Sequence, residues 1–256
     1  MTTRPAPISV QLYSLRTEAA ADFSGVLRRL GSVGFVGVEL AGFHGLTPAQ
    51  FNAVAAEAGL VVSSGHVGNA GPDALHAALD DLEEVGCNTA VLAFLPPDAF
   101  TDLVAVQRSA DAINAAHVIA AERGFTFGYH NHWWEFARLA DGRTAWSHLL
   151  ERLDDGVVIE LDMYWATVGG GAALDVIADL GDRLHLLHVK DGPADDPKSP
   201  MVAVGSGTLD IPAALTAAPN VAWHVVELDR CATDMFTAIA GSYQFLVDGG
   251  LSRGRA

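Results

Sequence analysis

The sequence predicts a (β/α)8 barrel, a closed ring of eight parallel strands with helices packed outside it. Short β-rich runs alternate with longer Ala- and Leu-rich runs along all 256 residues, giving eight strand–helix units. Strict alternation predicts parallel strands joined by right-handed crossovers, and eight units of this length suit one barrel. Residues 11–16 after the first strand contain no glycine, which disfavours an open sheet with a glycine-rich phosphate turn.

The individual elements follow from residue type and apolar spacing. Strands are predicted at 8–12, 37–40, 61–66, 89–94, 126–130, 157–162, 184–189 and 221–228. Helices are predicted at 23–33, 48–58, 72–85, 102–123, 145–153, 172–180, 211–217 and about 233–247. Proline begins two of the helices, at Pro48 and Pro72, where its missing N–H costs nothing. Because no linker is recognisable, residues 1–256 are predicted to form one domain, with 191–206 as a long active-site loop.

Composition narrows the classes of function. Acidic residues outnumber basic ones by 31 to 15, for a net charge of -16, and such a surface repels nucleic acid. The two cysteines lie in no metal-binding spacing, so a reducing compartment is expected. No apolar run is long enough to span a bilayer, and no signal peptide is recognisable. We therefore expect a cytoplasmic protein without nucleic-acid or membrane partners, and the oligomeric state stays open, a homo-oligomer included.

Titratable side chains end four consecutive predicted strands, the fifth to the eighth. Side chains two residues apart share a face of a strand, and the carboxyl ends of barrel strands carry the chemistry. The residues are His130, His132 and Glu135; Glu160 and Asp162; His188; and Glu227 and Asp229. Each alone would also suit a structural hydrogen bond or ion pair. Together they predict a mixed nitrogen and oxygen site for one divalent ion such as Mn²⁺, Co²⁺, Fe²⁺ or Zn²⁺.

Further side chains are candidates for contacts with a polar ligand. Gln11, Glu39 and His66 end the first three strands and could hydrogen-bond hydroxyl groups. Aromatic residues follow the fifth and sixth strands, at Trp133, Trp134, Tyr164 and Trp165. Aromatic faces beside polar groups are typical of sugar sites and equally of a protein core. We expect Trp134, Trp165 and Asp229 to contact substrate together with the three strand-end residues, and Trp165 to lie on the loop after the sixth strand.

Seven runs spread over nearly the whole chain carry a resemblance to a known family. They are residues 10–14, 34–40, 129–136 (Tyr-His-Asn-His-x-x-Glu-Phe), 161–165, 188–192 (His-Val-Lys-Asp-Gly), 205–210 and 226–229. In these runs the chain resembles the sugar phosphate isomerase/epimerase family of xylose-isomerase-like barrels. The resemblance implies one divalent metal at the carboxyl end of the barrel, with Mn²⁺ as the leading expectation and Co²⁺, Zn²⁺, Fe²⁺ or Mg²⁺ as alternatives.

The resemblance also assigns roles to residues. The usual ligands of the family, Glu, Asp, His and Glu, fall on His130, Asp162, His188 and Glu227. His130 departs from the pattern, because that position is commonly a glutamate that also moves a proton. Glu135 would then supply the missing carboxylate, or His132 would be the working base. These two residues, with Glu227 and Lys190, form the predicted catalytic group.

Three functions follow, in order of preference. The first is a metal-dependent sugar isomerase or epimerase that acts through an enediolate next to the carbonyl of a sugar or keto-sugar. The second is a dehydratase or lyase that uses the same enediolate on an inosose or 3-keto-glycoside. The third is a non-catalytic sugar-binding barrel. Metal-dependent endonucleases share the barrel, but their larger ligand clusters and basic loops are not recognisable in this strongly acidic chain.

Overall fold

The strands form one closed parallel barrel in the order β1 to β8, with β8 paired to β1. The computed structural model describes residues 4–68 and 70–255. The strands are β1 Ile8–Gln11, β2 Gly37–Leu40, β3 Val61–Val67, β4 Thr89–Leu92, β5 Thr126–His130, β6 Val158–Asp162, β7 Leu184–Val189 and β8 Trp223–Val226. The predicted fold is confirmed. The predicted domain, 1–256, includes residues 1–3, 69 and 256, which lie outside the described part.

Helices connect the strands on the outside of the barrel. They are α1 Arg16–Val33, α2 Pro48–Ala58, α3 Pro72–Glu84, α4 Leu103–Glu122, α5 Ala145–Leu150, α6 Met163–Val168, α7 Ala173–Leu180, α8 Ile211–Ala217 and α9 Met235–Asp248. The start of α2 shows how local sequence sets a boundary. Thr47 accepts a hydrogen bond from the backbone of Gln50, whose side chain bonds back to Thr47, and this reciprocal cap fixes the first turn.

Apart from shifts of one to three residues at the ends of several elements, two predictions of the helices differ from the structure. Helix α1 begins at Arg16 rather than at residue 23, and it continues through non-helical dihedral angles at Asp22 (φ -154°). Helix α6 was not predicted. It begins because Oδ1 of Asp162 accepts a hydrogen bond from the backbone N–H of Trp165 at 2.9 Å, the arrangement of a helix N-cap.

Side-chain alternation along the strands separates the core from the site. In β1, Ile8 and Val10 join the main apolar cluster, whereas Gln11 does not. In β5, Tyr129 joins that cluster, whereas His130 is a buried polar residue. Because successive residues face opposite sides of a strand, the apolar set packs under the helices and the polar set points into the barrel. Among the described residues, no helix is both long and apolar enough to cross a membrane.

Candidate metal and substrate site

The structure brings the four predicted metal ligands together. His130, Asp162, His188 and Glu227 each offer one ligand atom, and these atoms all lie within 4.8 Å of one another. All four residues are buried. Ligand atoms held about 2.0–2.2 Å from one ion can be no more than roughly 4.4 Å apart, so the cluster is close to the size that a metal site needs. Neighbouring strands cause this proximity, since Asp162 on β6 is in register with His188 on β7.

A second group of possible ligands overlaps the first. It consists of His66, His130, Glu160 and His188, and its ligand atoms are equally close. Nε2 of His66 lies 2.6 Å from Oε2 of Glu160, and Oε1 of Glu160 is buried without a hydrogen-bond partner among the described residues. Because both groups include His130 and His188, they describe two neighbouring positions for an ion at the same end of the barrel.

The buried charges around these positions are strongly unbalanced. The site holds five carboxylates and one lysine. Nζ of Lys190 lies 2.7 Å from an oxygen of each of Asp162, Glu227 and Asp229. The other two carboxylates, Glu39 and Glu160, are fully buried and contact His188 and His66 instead. Buried charges are costly unless they are paired. One lysine cannot neutralise five carboxylates, so the site needs additional positive charge.

His188 meets part of that need. Its Nδ1 lies 2.8 Å from Oε2 of Glu227, and its Nε2 lies 2.8 Å from Oε1 of Glu39. Burial alone would lower the pKa of His188, but Glu160, Glu39 and Glu227 together raise that pKa well above its ordinary value. In the absence of a metal, protonated His188 therefore supplies part of the positive charge that a bound divalent ion would supply in its place. The carboxylate-rich donor set fits a hard or borderline divalent cation.

His130 has the protonation state that a metal ligand requires. Burial, followed by the charge of His188, lowers the pKa of His130 well below its ordinary value. Nδ1 of His130 is buried and has no hydrogen-bond partner among the described residues. A neutral imidazole with a free lone pair can bind a metal, whereas an imidazolium cannot. His130 thus suits the position at which the family resemblance implies a glutamate.

The loop after β5 separates the two other candidates for proton transfer. The ring of His132 lines the cavity and stacks on Trp134, with centroids 4.4 Å apart. Burial and then Lys190 lower the pKa of His132 to about 3. Glu135 instead accepts hydrogen bonds from the Tyr129 hydroxyl at 2.7 Å and from the His132 backbone at 3.1 Å. Burial raises the pKa of Glu135 to about 7. Glu135 therefore stabilises the conformation of the loop after β5, and it belongs to neither group of possible metal ligands.

Two of the predicted substrate contacts are fully buried and bond to each other. Nε2 of Gln11 donates to Oε1 of Glu39 at 2.6 Å, and the hydroxyl of Ser64 donates to Oε2 of Glu39 at 2.6 Å. Glu39 in turn contacts Nε2 of His188. Burial, and then the charge of Glu160, raise the pKa of Glu39. This network orients His188 from the side of β1 to β3, in the way that carboxylates orient metal-binding histidines.

A cavity of about 530 Å³ opens directly above the cluster. Three histidines and two carboxylates line it, together with two aromatic rings and three small residues. The lining residues are Tyr13, Ala41, His66, Gly68, Ala93, Phe94, His130, His132, Glu227 and Asp229. Tyr13 and Phe94 are 45% and 46% exposed, and we did not single them out from sequence. Each lies two residues beyond a strand end, at β1 and β4, and that shared position was the available signal.

Comparison with known protein families identifies the family of this chain. Residues 27–218 match the model of the xylose isomerase-like TIM barrel family. The chain belongs to that family. Among curated proteins, no sequence is similar enough to this chain to count as a match.

Solved structures of the same fold are similar over almost their whole length. Two proteins from Parabacteroides distasonis, both named sugar phosphate isomerase/epimerase, are 24% and 23% identical. Their TM-scores are 0.84 and 0.86, and the matches cover 97% of this chain and 96% and 100% of theirs. A 3-keto-D-glucoside 4-epimerase from E. coli is 22% identical, with a TM-score of 0.69 and coverage of 95% and 99%. At these identities the likeness shows the fold.

In this xylose isomerase-like barrel, the predicted loop position of Trp165 is wrong. Trp165 lies in α6 and is 2% exposed, because Asp162 caps a helix there. Its ring packs 4.6 Å from that of Trp133 and 5.3 Å from Nζ of Lys190. Trp165 therefore forms a wall behind the carboxylate cluster. Lys190, predicted to act in proton transfer, is also fully buried, whereas Asp229 lines the cavity.

Proposed function

We propose that the protein is a divalent-metal-dependent sugar isomerase or epimerase, which acts through an enediolate next to a sugar carbonyl. One observation carries the proposal: four ligand-competent side chains, from the ends of β5 to β8, converge within 4.8 Å beside a cavity of about 530 Å³. Carboxyl ends of barrel strands are where enzymes of this fold place their chemistry. The relatives from P. distasonis, named sugar phosphate isomerase/epimerase, and the E. coli epimerase support a sugar as substrate.

His130, Asp162, His188 and Glu227 would hold the ion. When bound, a divalent ion supplies a Lewis acid that stabilises negative charge developing on the sugar oxygens. Lys190 would hold two of these carboxylates in position through its contacts with Asp162 and Glu227. A metal would also relieve the charge imbalance described above. The family resemblance makes Mn²⁺ the first candidate, with Co²⁺, Zn²⁺, Fe²⁺ or Mg²⁺ as alternatives among which the ligand types do not choose.

Two side chains that line the cavity would handle the proton. Lys190 and His188 outweigh burial and hold the pKa of Glu227 well below its usual range, so Glu227 is ionised and can accept a proton from the substrate carbon. The carbon–hydrogen electron pair then forms the double bond of the enediolate. His132, neutral at pH 7, carries one N–H and one lone pair. On its own side of the cavity, His132 would donate a proton to the substrate carbon or accept one from it.

Elimination is the second candidate, and the unlike pair of groups favours it. Epimerisation by two matched glutamates needs a carboxylate on each side, whereas this cavity offers Glu227 and the imidazole of His132. Elimination needs one base for the carbon and one acid for the leaving group. A probable 3-DHS dehydratase from Bacillus anthracis has the same fold at 13% identity, with a TM-score of 0.71 and coverage of 94% and 98%. The substrate would then be an inosose or a 3-keto-glycoside.

One experiment separates these functions. Purified protein is stripped of metal, reloaded with Mn²⁺ and incubated in D₂O with a panel of keto-sugars. Isomerisation or epimerisation predicts metal-dependent deuterium at the carbon next to the carbonyl, and elimination predicts an unsaturated ketone that absorbs in the near ultraviolet. Glu227→Gln should abolish both. Tight sugar binding without exchange or elimination, in the loaded protein, would instead indicate a sugar-binding barrel and contradict the proposal.

A further inference from the structure

The loop after β7 contains a site for an anion, and the chain fills it with its own carboxylate. Asp191 is fully buried. Its carboxylate accepts hydrogen bonds from the backbone N–H groups of Gly192 at 2.8 Å, Gly205 at 2.9 Å, Gly207 at 2.9 Å and Leu209 at 3.3 Å. Converging backbone N–H groups of this kind form an anion-binding nest. In many (β/α)8 barrels the loops after the seventh and eighth strands bind the phosphate of the substrate.

The nest is closed tightly around Asp191. A Cβ atom added to Gly207 would lie 2.0 Å from Oδ1 of Asp191, and Gly205 adopts a φ of +88°, which favours glycine. The loop backbone therefore approaches the carboxylate as closely as glycine allows. A second anion cannot share the same four donors, so a substrate phosphate has no place in this nest.

The cavity contains no other group that would bind a phosphate. Among the described residues that line it, none is lysine or arginine, and two are the carboxylates Glu227 and Asp229. Lys190 is buried among three carboxylates. Arg16 places its guanidinium over one face of the Tyr13 ring, 4.2 Å from the centroid, and donates from Nη1 to the Tyr13 carbonyl and from Nη2 to the Asp229 carbonyl, both at 2.8 Å. These contacts already engage its charge. A phosphate dianion would meet like charge in a site of low dielectric constant.

The outer part of the cavity is instead aromatic. Tyr13 and Phe94 are nearly half exposed at its walls. The ring of Phe94 meets those of His132 and Trp134 edge to face, at 5.3 and 5.4 Å. A volume of about 530 Å³ lies within the range of pockets that enclose drug-sized ligands, and it exceeds what one hexose ring fills. Exposed aromatic walls of this kind bind apolar groups or the C–H faces of sugars.

We propose that the substrate is an uncharged keto-sugar glycoside whose apolar substituent packs against Tyr13 and Phe94, and that sugar phosphates are excluded because Asp191 fills the nest after β7 and no lysine or arginine lines the cavity. The inference rests on the proposed function and narrows it.

The first test compares three substrates in the deuterium-exchange assay: a methyl keto-glucoside, its phenyl analogue and its 6-phosphate. We expect the phenyl glycoside to have a kcat/KM about 2- to 10-fold higher than the methyl glycoside, and the phosphate to fall at least roughly 100-fold below it. Tyr13→Ala and Phe94→Ala should each reduce the phenyl-to-methyl ratio, whereas Val118→Ala, an exposed site on α4, should not. A preference for the phosphate would overturn the inference while leaving the proposed function intact. Absence of exchange with all three would instead count against the proposed function.

The second test does not depend on activity. The melting temperatures of wild type, Asp191→Ala and Asp191→Asn are compared in inorganic phosphate and in chloride at equal ionic strength. We expect phosphate to raise the melting temperature of Asp191→Ala by about 3 °C or more beyond its effect on wild type, because the vacated nest accepts it. Asp191→Asn keeps the nest filled, although its NH2 group then faces two of the four N–H donors. With folding checked by circular dichroism, this variant should respond like wild type. A specific phosphate response in wild type, or none in any variant, would overturn the assignment of the nest.

Discussion

The two halves of the barrel mouth are built differently. The β5–β8 half carries titratable groups at each strand end, including His130, Asp162 and His188. The β1–β4 half carries two titratable groups, Glu39 and His66, beside the neutral Gln11 and Ser64 and the exposed aromatic rings of Tyr13 and Phe94. We infer that the two halves have different roles. The β5–β8 half would hold the metal and move the proton, and the β1–β4 half would orient ligands and select the substrate.

The halves are nevertheless coupled through His188. Its Nδ1 contacts Glu227 within its own half, and its Nε2 contacts Glu39 in the other. Glu39 is held by Gln11 and Ser64. The β1–β4 half therefore fixes the orientation of a ligand that belongs to the β5–β8 half. Substitutions in each half should have effects of different kind and size.

The largest expected effect is the loss of metal from the β5–β8 half. His188→Ala, Asp162→Ala and Glu227→Ala should each lower metal affinity by more than about 100-fold, beyond the range seen when a supporting residue is lost. His66→Ala is the matched control on β3 and should retain the metal. Metal content after dialysis is measured for the three ligand variants and for the control, and circular dichroism checks that each variant is folded. Loss of metal in His66→Ala together with retention in Asp162→Ala would place the ion in the group that contains Glu160.

Lys190→Met should destabilise the metal-stripped protein by roughly 3–5 kcal/mol, because three carboxylates lose their buried cation. Bound Mn²⁺ should restore part of that loss by supplying positive charge to Asp162 and Glu227. The exposed Lys198→Met is the control and should change stability by no more than about 0.5 kcal/mol. Chemical denaturation with and without Mn²⁺ gives the numbers. Equal stability of the two variants would mean that the charge cluster is not organised around Lys190.

Glu39→Gln tests the coupling between the halves. It keeps the shape and removes the negative charge that faces His188, so metal affinity should fall by roughly 10- to 100-fold without being abolished. Titration calorimetry with Mn²⁺ measures the affinity. Gln11→Ala should have a smaller effect in the same direction, since it acts only through Glu39. If Glu39→Gln abolished binding as completely as His188→Ala, Glu39 would be a ligand itself.

The smallest effect is a difference in titration between two histidines. Burial alone would lower the pKa of His66, but Glu39 and Glu160 raise it, whereas burial and then Lys190 lower the pKa of His132 to about 3. In metal-stripped protein, NMR should therefore find His66 protonated above pH 6.5 and His132 neutral from pH 8 down to about 4. By linkage, the contribution of neutral His132 to stability is present above pH 6.5 and lost as pH falls towards 3. A midpoint near 6.5 for His132 would contradict its burial.

Much of the barrel could be predicted because strand and helix signals are local. Strands β2, β5 and β7 and helices α2 and α8 have the predicted bounds. Parity within β5 also placed His130 on the polar face. The prediction failed where a single side chain changed the local conformation, as Asp162 did by capping α6 and drawing Trp165 into a helix.

The candidate site was harder to predict beyond the strand ends. Two-residue alternation no longer applies after His130, so it could not show that Glu135 turns towards Tyr129. Nor could parity show which strand-end groups would bond to one another, as Gln11 does with Glu39. Gln11 and Glu39 meet because β1 and β2 pair with these two residues in register, and local sequence does not set that register. The contact of Glu39 with His188 depends further on the ring closing, which brings β2 opposite β7.

We propose above that β5 to β8 hold one divalent ion, bound by His130, Asp162, His188 and Glu227. Anomalous diffraction from crystals grown with Mn²⁺, recorded near the manganese absorption edge, tests it most directly. We expect one strong peak about 2.0–2.3 Å from an atom of each of these four residues, with His132 and Glu135 outside that distance. A peak between His66 and Glu160, a peak bound by His132 in place of His130, or no peak at this end of the barrel would contradict it.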